Sequence, residues 1–207
     1  MSEFISSTFG KISGRHGTAV AMKSKSTGKT YLRLHSVPSD PKTAKQVAQR
    51  SKFGFVNQEM NCMRNLFKIT YGGNQGVSRG VSLAFGAVTG EYPNFSIDYS
   101  KLILSQGGVD TSGLLNVVKT ADTTLKFDWD TTSGYQGDDN DGVNLVILNV
   151  DTKVGLLKQN MVLRGAGTID VELPAVWAGQ SVHCWIYFSS PDGKKNSTSQ
   201  YIDLVQL

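Results

Sequence analysis

The feature that most constrains the fold is a series of short apolar runs, separated by turn residues, between residue 110 and the end of the chain. Seven such runs within about 100 residues are typical of an immunoglobulin or fibronectin type III sandwich. The predicted strands are residues 114–118, 125–129, 143–150, 156–163, 169–173, 182–188 and 200–207. Residues 109–207 are therefore predicted to form an Ig-like β-sandwich.

Two of these runs indicate strands with no solvent-facing side. Residues 143–150 are almost continuously apolar, which is typical of a central strand. In the run 182–188, Val182, Cys184 and Ile186 point to one face, whereas Trp185 and Tyr187 point to the other. Aromatic side chains on the second face indicate either burial on both sides or a face offered to a neighbour, and we expect core burial.

The N-terminal region combines a hairpin with helices. Alternating apolar residues on both sides of a turn at 26–29 predict a β-hairpin over residues 18–35. The preceding segment 9–17 contains three glycines, which suit either close backbone approach or an extended arm. Residues 1–108 are thus predicted to hold a basic arm, a hairpin and two helices, which makes the fold class α+β and mostly β.

The first helix is expected to start at Asp40 as N-cap with Pro41 at the first helical position, and to run to about residue 69. An apolar stripe at helical spacing predicts its buried face. The stripe consists of Phe53, Val56, Met60, Met63 and Phe67. Continued backward, it meets only Gln49, Gln46 and Lys42, so the first half of the helix is expected to project from the core.

A second helix is expected with Val77, Val81, Ala84, Phe85 and Val88 on its inner face. Gly80 and Gly86 would weaken an exposed helix by about 1 kcal/mol each, so they indicate close helix packing. Residues 96–105 then return to a strand pattern, and residues 106–108 are the expected linker to the sandwich.

Charge is distributed unevenly along the chain. Residues 1–71 contain twelve Lys or Arg and three Asp or Glu, whereas residues 110–207 contain seven basic and twelve acidic residues. Segments of opposite charge indicate two separate binding functions or copies that stack head to tail, because complementary fields steer and orient association. A solvated basic surface without a specific partner is the alternative.

The basic half supplies the predicted contact residues. Lysines in the first turn of a helix oppose the helix dipole, and a phosphate or an acidic protein surface would remove that cost. The residues expected to contact such a partner, or nucleic acid, are Lys11, Arg15, Lys42, Lys45, Arg50 and Lys52.

An acidic loop is the candidate metal site. Asp139 and Asp141 fall at ligand positions of an EF-hand loop when Gly142 is aligned with the glycine of that loop. The first ligand would then be Gly137 and no closing glutamate follows, so a solvated turn between two strands explains the loop better.

No catalytic constellation is found in the sequence. Residues 28–30 imitate the end of a P-loop, but Lys23 stands where that motif requires glycine. His16, His35 and His183 are widely spaced, and no serine lies in a Gly-x-Ser-x-Gly elbow. We therefore expect a protein that is not an enzyme and has no cofactor.

The start of the chain predicts synthesis in the cytoplasm. Residues 1–9 lack the basic and then apolar pattern of a signal peptide, and no apolar stretch approaches the ~20 residues that cross a bilayer. Cys62 and Cys184 lie in unlike patterns, and we interpret both as reduced core thiols.

Three segments resemble a known family: the glycine-punctuated residues 9–17, the helix opening at 41–53, and the strand boundary with Leu173-Pro174 and Trp177-Ala178-Gly179. They are similar to an uncharacterised family of Bacteroidetes proteins of about this length, a domain of unknown function. The resemblance spans nearly the whole chain and implies no activity or site residues. The small body with a basic arm is also similar in style to phage capsid-decoration, head-fibre or tail components.

These observations favour a structural subunit of a virion or another particle, which packs against copies of itself or a scaffold as a homo-oligomer or larger assembly. A nucleic-acid-binding module that uses the basic half is the first alternative, although no zinc spacing or RNA-recognition pattern is found. A carbohydrate-binding or adhesive module is a third, motivated by Trp129, Trp177 and Trp185.

Overall fold

The computed structural model describes residues 14–36, 40, 42–132 and 134–207. The chain divides into two compact units, residues 1–43 and residues 44–207. This division falls well before the expected linker at 106–108. The reason is that the helices and the sandwich share a core.

The first unit contains a small antiparallel sheet. Its strands are β1 (Gly14–His16), β2 (Ala19–Lys23) and β3 (Thr30–Leu34), with β2 in the middle. The β2–β3 pair confirms the predicted hairpin. Strand β1 pairs with β2 through residues 14–16, which the sequence had assigned to the basic arm.

The helices begin later than predicted and are interrupted. They are α1 (Ala44–Glu59), α2 (Arg64–Tyr71) and α3 (Gly73–Ala84), and a 3₁₀ turn at Met60–Met63 separates α1 from α2. Lys42 has a φ angle of 45°, which a right-handed helix cannot contain. The prediction that the helix starts at Asp40 is therefore wrong, and Pro41 lies outside the described residues.

The expected strand over residues 96–105 is also shorter than predicted. After α3, a two-stranded hairpin forms from β4 (Val88–Thr89) and β5 (Ser96–Ile97). Asp98 then accepts a hydrogen bond from the backbone N–H of Ser100 at 3.2 Å and begins a 3₁₀ turn at Tyr99–Lys101. This local capping ends the strand after Ile97.

The remaining strands form the predicted sandwich. They are β6 (Leu115–Ala121), β7 (Thr124–Trp129), β8 (Gly142–Asn149), β9 (Val154–Lys158), β10 (Thr168–Glu172), β11 (Ser181–Ser189) and β12 (Gln200–Gln206). A three-stranded sheet has the order β10-β7-β6 and a four-stranded sheet the order β12-β11-β8-β9, with every pair antiparallel. The chain has an Ig/fibronectin III-like β-sandwich.

One hydrophobic core lies between the two sheets. Its members come from alternate positions of the strands, including Leu125 and Phe127 of β7 and Val182, Cys184 and Ile186 of β11, and all five are fully buried. The alternation follows from the period of two along a strand.

A second core covers the opposite face of the four-stranded sheet. Trp185 and Tyr187 of β11 are 0% and 2% exposed, because the helices pack on them. From the helices, the members of this core include Val56, Met60, Met63 and Phe67, as the apolar stripe predicted. Phe53 is 57% exposed, so the prediction that it joins the core is wrong.

Close contact between α2 and α3 depends on one glycine. A Cβ atom built on Gly80 would lie 2.3 Å from the ring of Phe67, which is itself fully buried. Glycine is therefore required at this position, as the sequence predicted. A Cβ on Gly86 would meet nothing within 4 Å, so the same prediction does not hold there.

Replacement Gly80→Ala is expected to destabilise the protein by about 1–3 kcal/mol, because the added methyl group overpacks the helix interface. Gly54 lies in α1 with open space around it, and Gly54→Ala should instead stabilise by up to about 1 kcal/mol. Urea unfolding of both variants measures the difference. Equal stabilisation by both substitutions would contradict the helix packing described here.

Candidate interaction surfaces

The first half of α1 is a basic surface that extends beyond the core. Val56 is the only buried residue described in α1, twelve residues after the helix begins. Lys45 and Arg50 are exposed, and the Nζ atom of Lys52 lies 4.3 Å from the ring centre of Phe85. The structure thus places three of the six predicted contact residues on α1, ahead of its buried residue Val56.

The other predicted contact residues do not belong to this helix. Arg15 lies on β1, where its Nε atom donates a hydrogen bond to the carbonyl of Gly17 at 3.2 Å. Lys42 precedes α1, and its backbone N–H donates to a carboxylate oxygen of Asp40 at 3.4 Å. Lys11 lies outside the described residues.

The sheet of the first unit has a basic face that the sequence did not reveal. The register places Arg15 and Arg33 directly opposite Val20, and Tyr31 opposite Met22. Directly opposed residues of antiparallel strands lie on the same face, so these five side chains share one surface. The spacing of two residues between Tyr31 and Arg33 indicates that they share a face of β3. Only the strand register shows that Arg15 lies on the same face.

This basic face borders an open cavity of about 780 Å³. Met22, Tyr31 and Arg33 line it together with residues from the β2–β3 turn. The described residues 14–36 contain five Lys or Arg and no Asp or Glu. The surface therefore combines an aromatic ring with positive charge.

The acidic loop contains a buried ion pair. Asp141 is 2% exposed, and its Oδ2 atom lies 3.3 Å from the Nε atom of Arg164, which is completely buried. The Oδ2 atom also accepts a hydrogen bond from the backbone N–H of Asp138 at 2.9 Å. Asp139, the other predicted ligand, is exposed. Within the described residues, no three His, Cys, Asp or Glu side chains are placed to hold a metal ion.

Arg164 is held from several sides. Its guanidinium carbon lies 3.8 Å from the ring centre of Phe188, and its Nη2 atom donates a hydrogen bond to the carbonyl of Asp110. Burial lowers the pKa of Arg164, and the neighbouring carboxylates of Asp141, Asp110 and Asp139 oppose that shift. The guanidinium already supplies the positive charge that Asp141 needs. No sequence motif indicated this pair.

Replacement Asp141→Asn is expected to destabilise the protein by about 3–5 kcal/mol, because it leaves the charge of Arg164 buried without its partner. Asp139→Asn removes an exposed carboxylate from the same loop and should change stability by less than about 0.5 kcal/mol. Thermal unfolding of both variants compares them. If Asp139→Asn is as destabilising, the account of the buried ion pair is wrong. If millimolar calcium raises the melting temperature of the unmodified protein, the loop is a metal site instead.

A cluster of titratable groups fixes the end of α1 to the body. The Nζ atom of Lys153 lies 2.8 Å from Oε2 of Glu59 and 3.0 Å from the hydroxyl of Tyr99. Burial opposes the charge of Lys153, but its hydrogen bonds to Glu59 and then Tyr99 raise its pKa above the usual value. Lys153 is therefore a protonated anchor.

The same cluster continues onto the sheet. His183 stacks on Tyr99 with 4.3 Å between ring centres, and its Nδ1 atom lies 3.0 Å from the hydroxyl of Tyr201. Burial, and then the charge of Lys153, lower the pKa of His183. No sequence pattern indicates this cluster, because its members come from five separate segments of the chain.

The tryptophans and cysteines are structural. Trp129, Trp177 and Trp185 are at most 5% exposed, which removes the observation that motivated a carbohydrate-binding role. Cys62 and Cys184 are free thiols. Burial raises the pKa of Cys184 to about 12, so this thiol is held protonated.

The protein is an Ig/fibronectin III-like sandwich with helices packed on one of its sheets, and a small basic sheet precedes these elements in the sequence. The chain belongs to a family of unknown function, DUF6266, whose family model matches residues 11–203. No curated protein matches the sequence.

Two solved structures are similar at a low level. The fn3 domain of human contactin 1 has a TM-score of 0.34 and 6% identity, over 50% of this chain and 79% of that chain. The FN1–FN3 domains of chicken CNTN1 have a TM-score of 0.34 and 6% identity, over 50% of this chain and 33% of that chain. None of the helices in the described part of the chain is long and apolar enough to cross a membrane.

Proposed function

We propose that this protein is a non-enzymatic structural subunit that binds within a larger protein assembly. The observation that carries the proposal is the first half of α1, which presents Lys45 and Arg50 on a helical segment with no buried residue before Val56. The specific assembly that we propose is a virion, with the protein as a capsid-decoration, head-fibre or tail component. That part of the proposal rests on the architectural likeness of a small body with a basic N-terminal region.

The first half of α1 lacks features that stabilise a helix. Short helical segments without tertiary packing are marginal in water. The first turn of α1 has no acidic residue to complement the helix dipole, and Phe53 exposes an aromatic ring beside the basic residues. An acidic protein surface would neutralise the charge, complement the dipole and cover Phe53.

The solution mass by light scattering tests this proposal. At ~0.05 M salt the mass should exceed the 22.4 kDa of one chain, and it should fall at ~1 M salt, where screening shortens the range of charge interactions to about 3 Å. Lys45→Glu with Arg50→Glu should lower the mass at low salt. Lys194→Glu with Lys195→Glu reverses two exposed charges at the β11–β12 turn and should not. A monomer at both salt concentrations would overturn the proposal.

A second candidate function is favoured by the basic face of the β1–β3 sheet. Tyr31 offers a ring for base stacking, and Arg15 and Arg33 lie on the same surface to contact phosphates. Other proteins bind single-stranded nucleic acid with this combination of aromatic rings and positive charge.

If this face binds nucleic acid, Tyr31→Ala should weaken the binding of a fluorescent single-stranded oligonucleotide about fivefold or more, since one stacked base contributes roughly 1–3 kcal/mol. Tyr135→Ala is the matched control, because Tyr135 is a fully exposed tyrosine of the second unit. Fluorescence anisotropy at low salt measures both. Equal affinities for the two variants, or no binding by the unmodified protein, would exclude the sheet as a nucleic-acid site.

A further inference from the structure

The second unit has two opposite outer surfaces. The four-stranded sheet lies in the middle, with the helices on one face and the three-stranded sheet on the other. The outward sides of α1–α3 and of the three-stranded sheet therefore face away from each other. Charged residues on these two outward sides therefore face opposite directions.

The helix layer is strongly basic. Residues 44–84 contain six Lys or Arg and one acidic residue, Glu59. Glu59 is already paired with Lys153 at 2.8 Å. Arg64 and Lys68 of α2 are exposed, as is Lys45 of α1. Exposed basic residues thus lie on both α1 and α2, so the positive charge of the helix layer is not confined to the start of α1.

The outward face of the three-stranded sheet is acidic. Leu125 and Val171 are buried in the core and directly opposed, so the neighbouring positions in each strand point outward. Three carboxylates occupy these outward positions with one lysine: Asp128, Asp170, Glu172 and Lys126.

Two of these carboxylates remain available to a partner. Lys126 lies 3.5 Å from Asp128 and partly neutralises it. Asp170 and Glu172 are exposed on the edge strand β10 and have no ion pair among the residues that the structure describes. They lie two residues apart on one side of the strand, so they form a short acidic row.

We propose that the basic helix layer of one copy docks on the acidic face of the three-stranded sheet of a second copy. The proposal rests on the assembly function proposed above and names its partner. The two surfaces are different, so the contact is heterologous, and each bound copy presents a further unoccupied surface of each kind. Such contacts build rings when the rotation closes and filaments when it does not.

The test is a charge swap. One variant carries Lys45→Glu, Arg64→Glu and Lys68→Glu, and the other carries Asp170→Lys and Glu172→Lys. Each variant alone should give the mass of a monomer, 22.4 kDa, in light scattering at low salt, because two like-charged surfaces would have to meet. An equimolar mixture should regain the mass of the unmodified protein, since each reversed surface then meets its complement.

Circular dichroism melting identifies variants that have lost their fold, and Lys194→Glu with Lys195→Glu controls for the change in net charge. The milder Asp170→Asn with Glu172→Gln should reduce the mass without blocking assembly completely. If the unmodified protein assembles and neither reversal lowers its mass, the docking is wrong while the assembly function stands. If both reversals block assembly and the mixture stays monomeric, the two surfaces do not bind each other. An unmodified protein that is monomeric at low salt would overturn both proposals.

Discussion

The structure depends on a four-stranded sheet whose two central strands are buried on both faces. Every residue of β8 is buried, and so is every residue of β11 after Ser181. Neither strand can reach water, so one face must be covered by the second sheet and the other by the helices, and the body becomes a three-layer unit. Fully burying a side chain such as Val146 or Leu148, which face the helices, contributes roughly 1.5–3 kcal/mol. This contribution requires the helices to stay in place. The charged outer layers are then held in fixed orientations on opposite sides.

Much of this fold could be predicted because its strands correspond to short hydrophobic patterns in the sequence. The continuous apolar run of β8 and the two-sided aromatic pattern of β11 identified the central sheet from the sequence. The predicted bounds of α1 and β9 were wrong where one residue with an unusual backbone conformation ends or delays the element. Lys42 adopts a left-handed φ angle and delays α1, and Asn160, with a φ of 47°, lies just beyond the end of β9 at Lys158, within the longer predicted strand. Such angles are uncommon for residues other than glycine and have no periodic signature.

The candidate surfaces were predictable only in part. Lys45 and Arg50 could be placed on a projecting helix half, because the apolar stripe in the sequence begins only at Phe53. The basic face of the N-terminal sheet and the acidic row on β10 both require knowledge of strand register, since a shift by one residue reverses the face of every side chain. The acidic residues next to Asp141 in sequence suggested a metal site. Its actual partner, Arg164, is distant in sequence and lies beside Asp141 only in the folded sandwich.

Native-state hydrogen exchange of the backbone amides tests most directly whether the helices and the sandwich are one body. If the central sheet needs both coverings, the slowest amides of α2 and α3 should exchange through the same opening as those of β8 and β11, with one shared free energy under increasing urea. Helices that exchange through a separate opening of lower free energy, while β8 and β11 remain protected, would contradict the account. The outer layers would then not be fixed relative to each other.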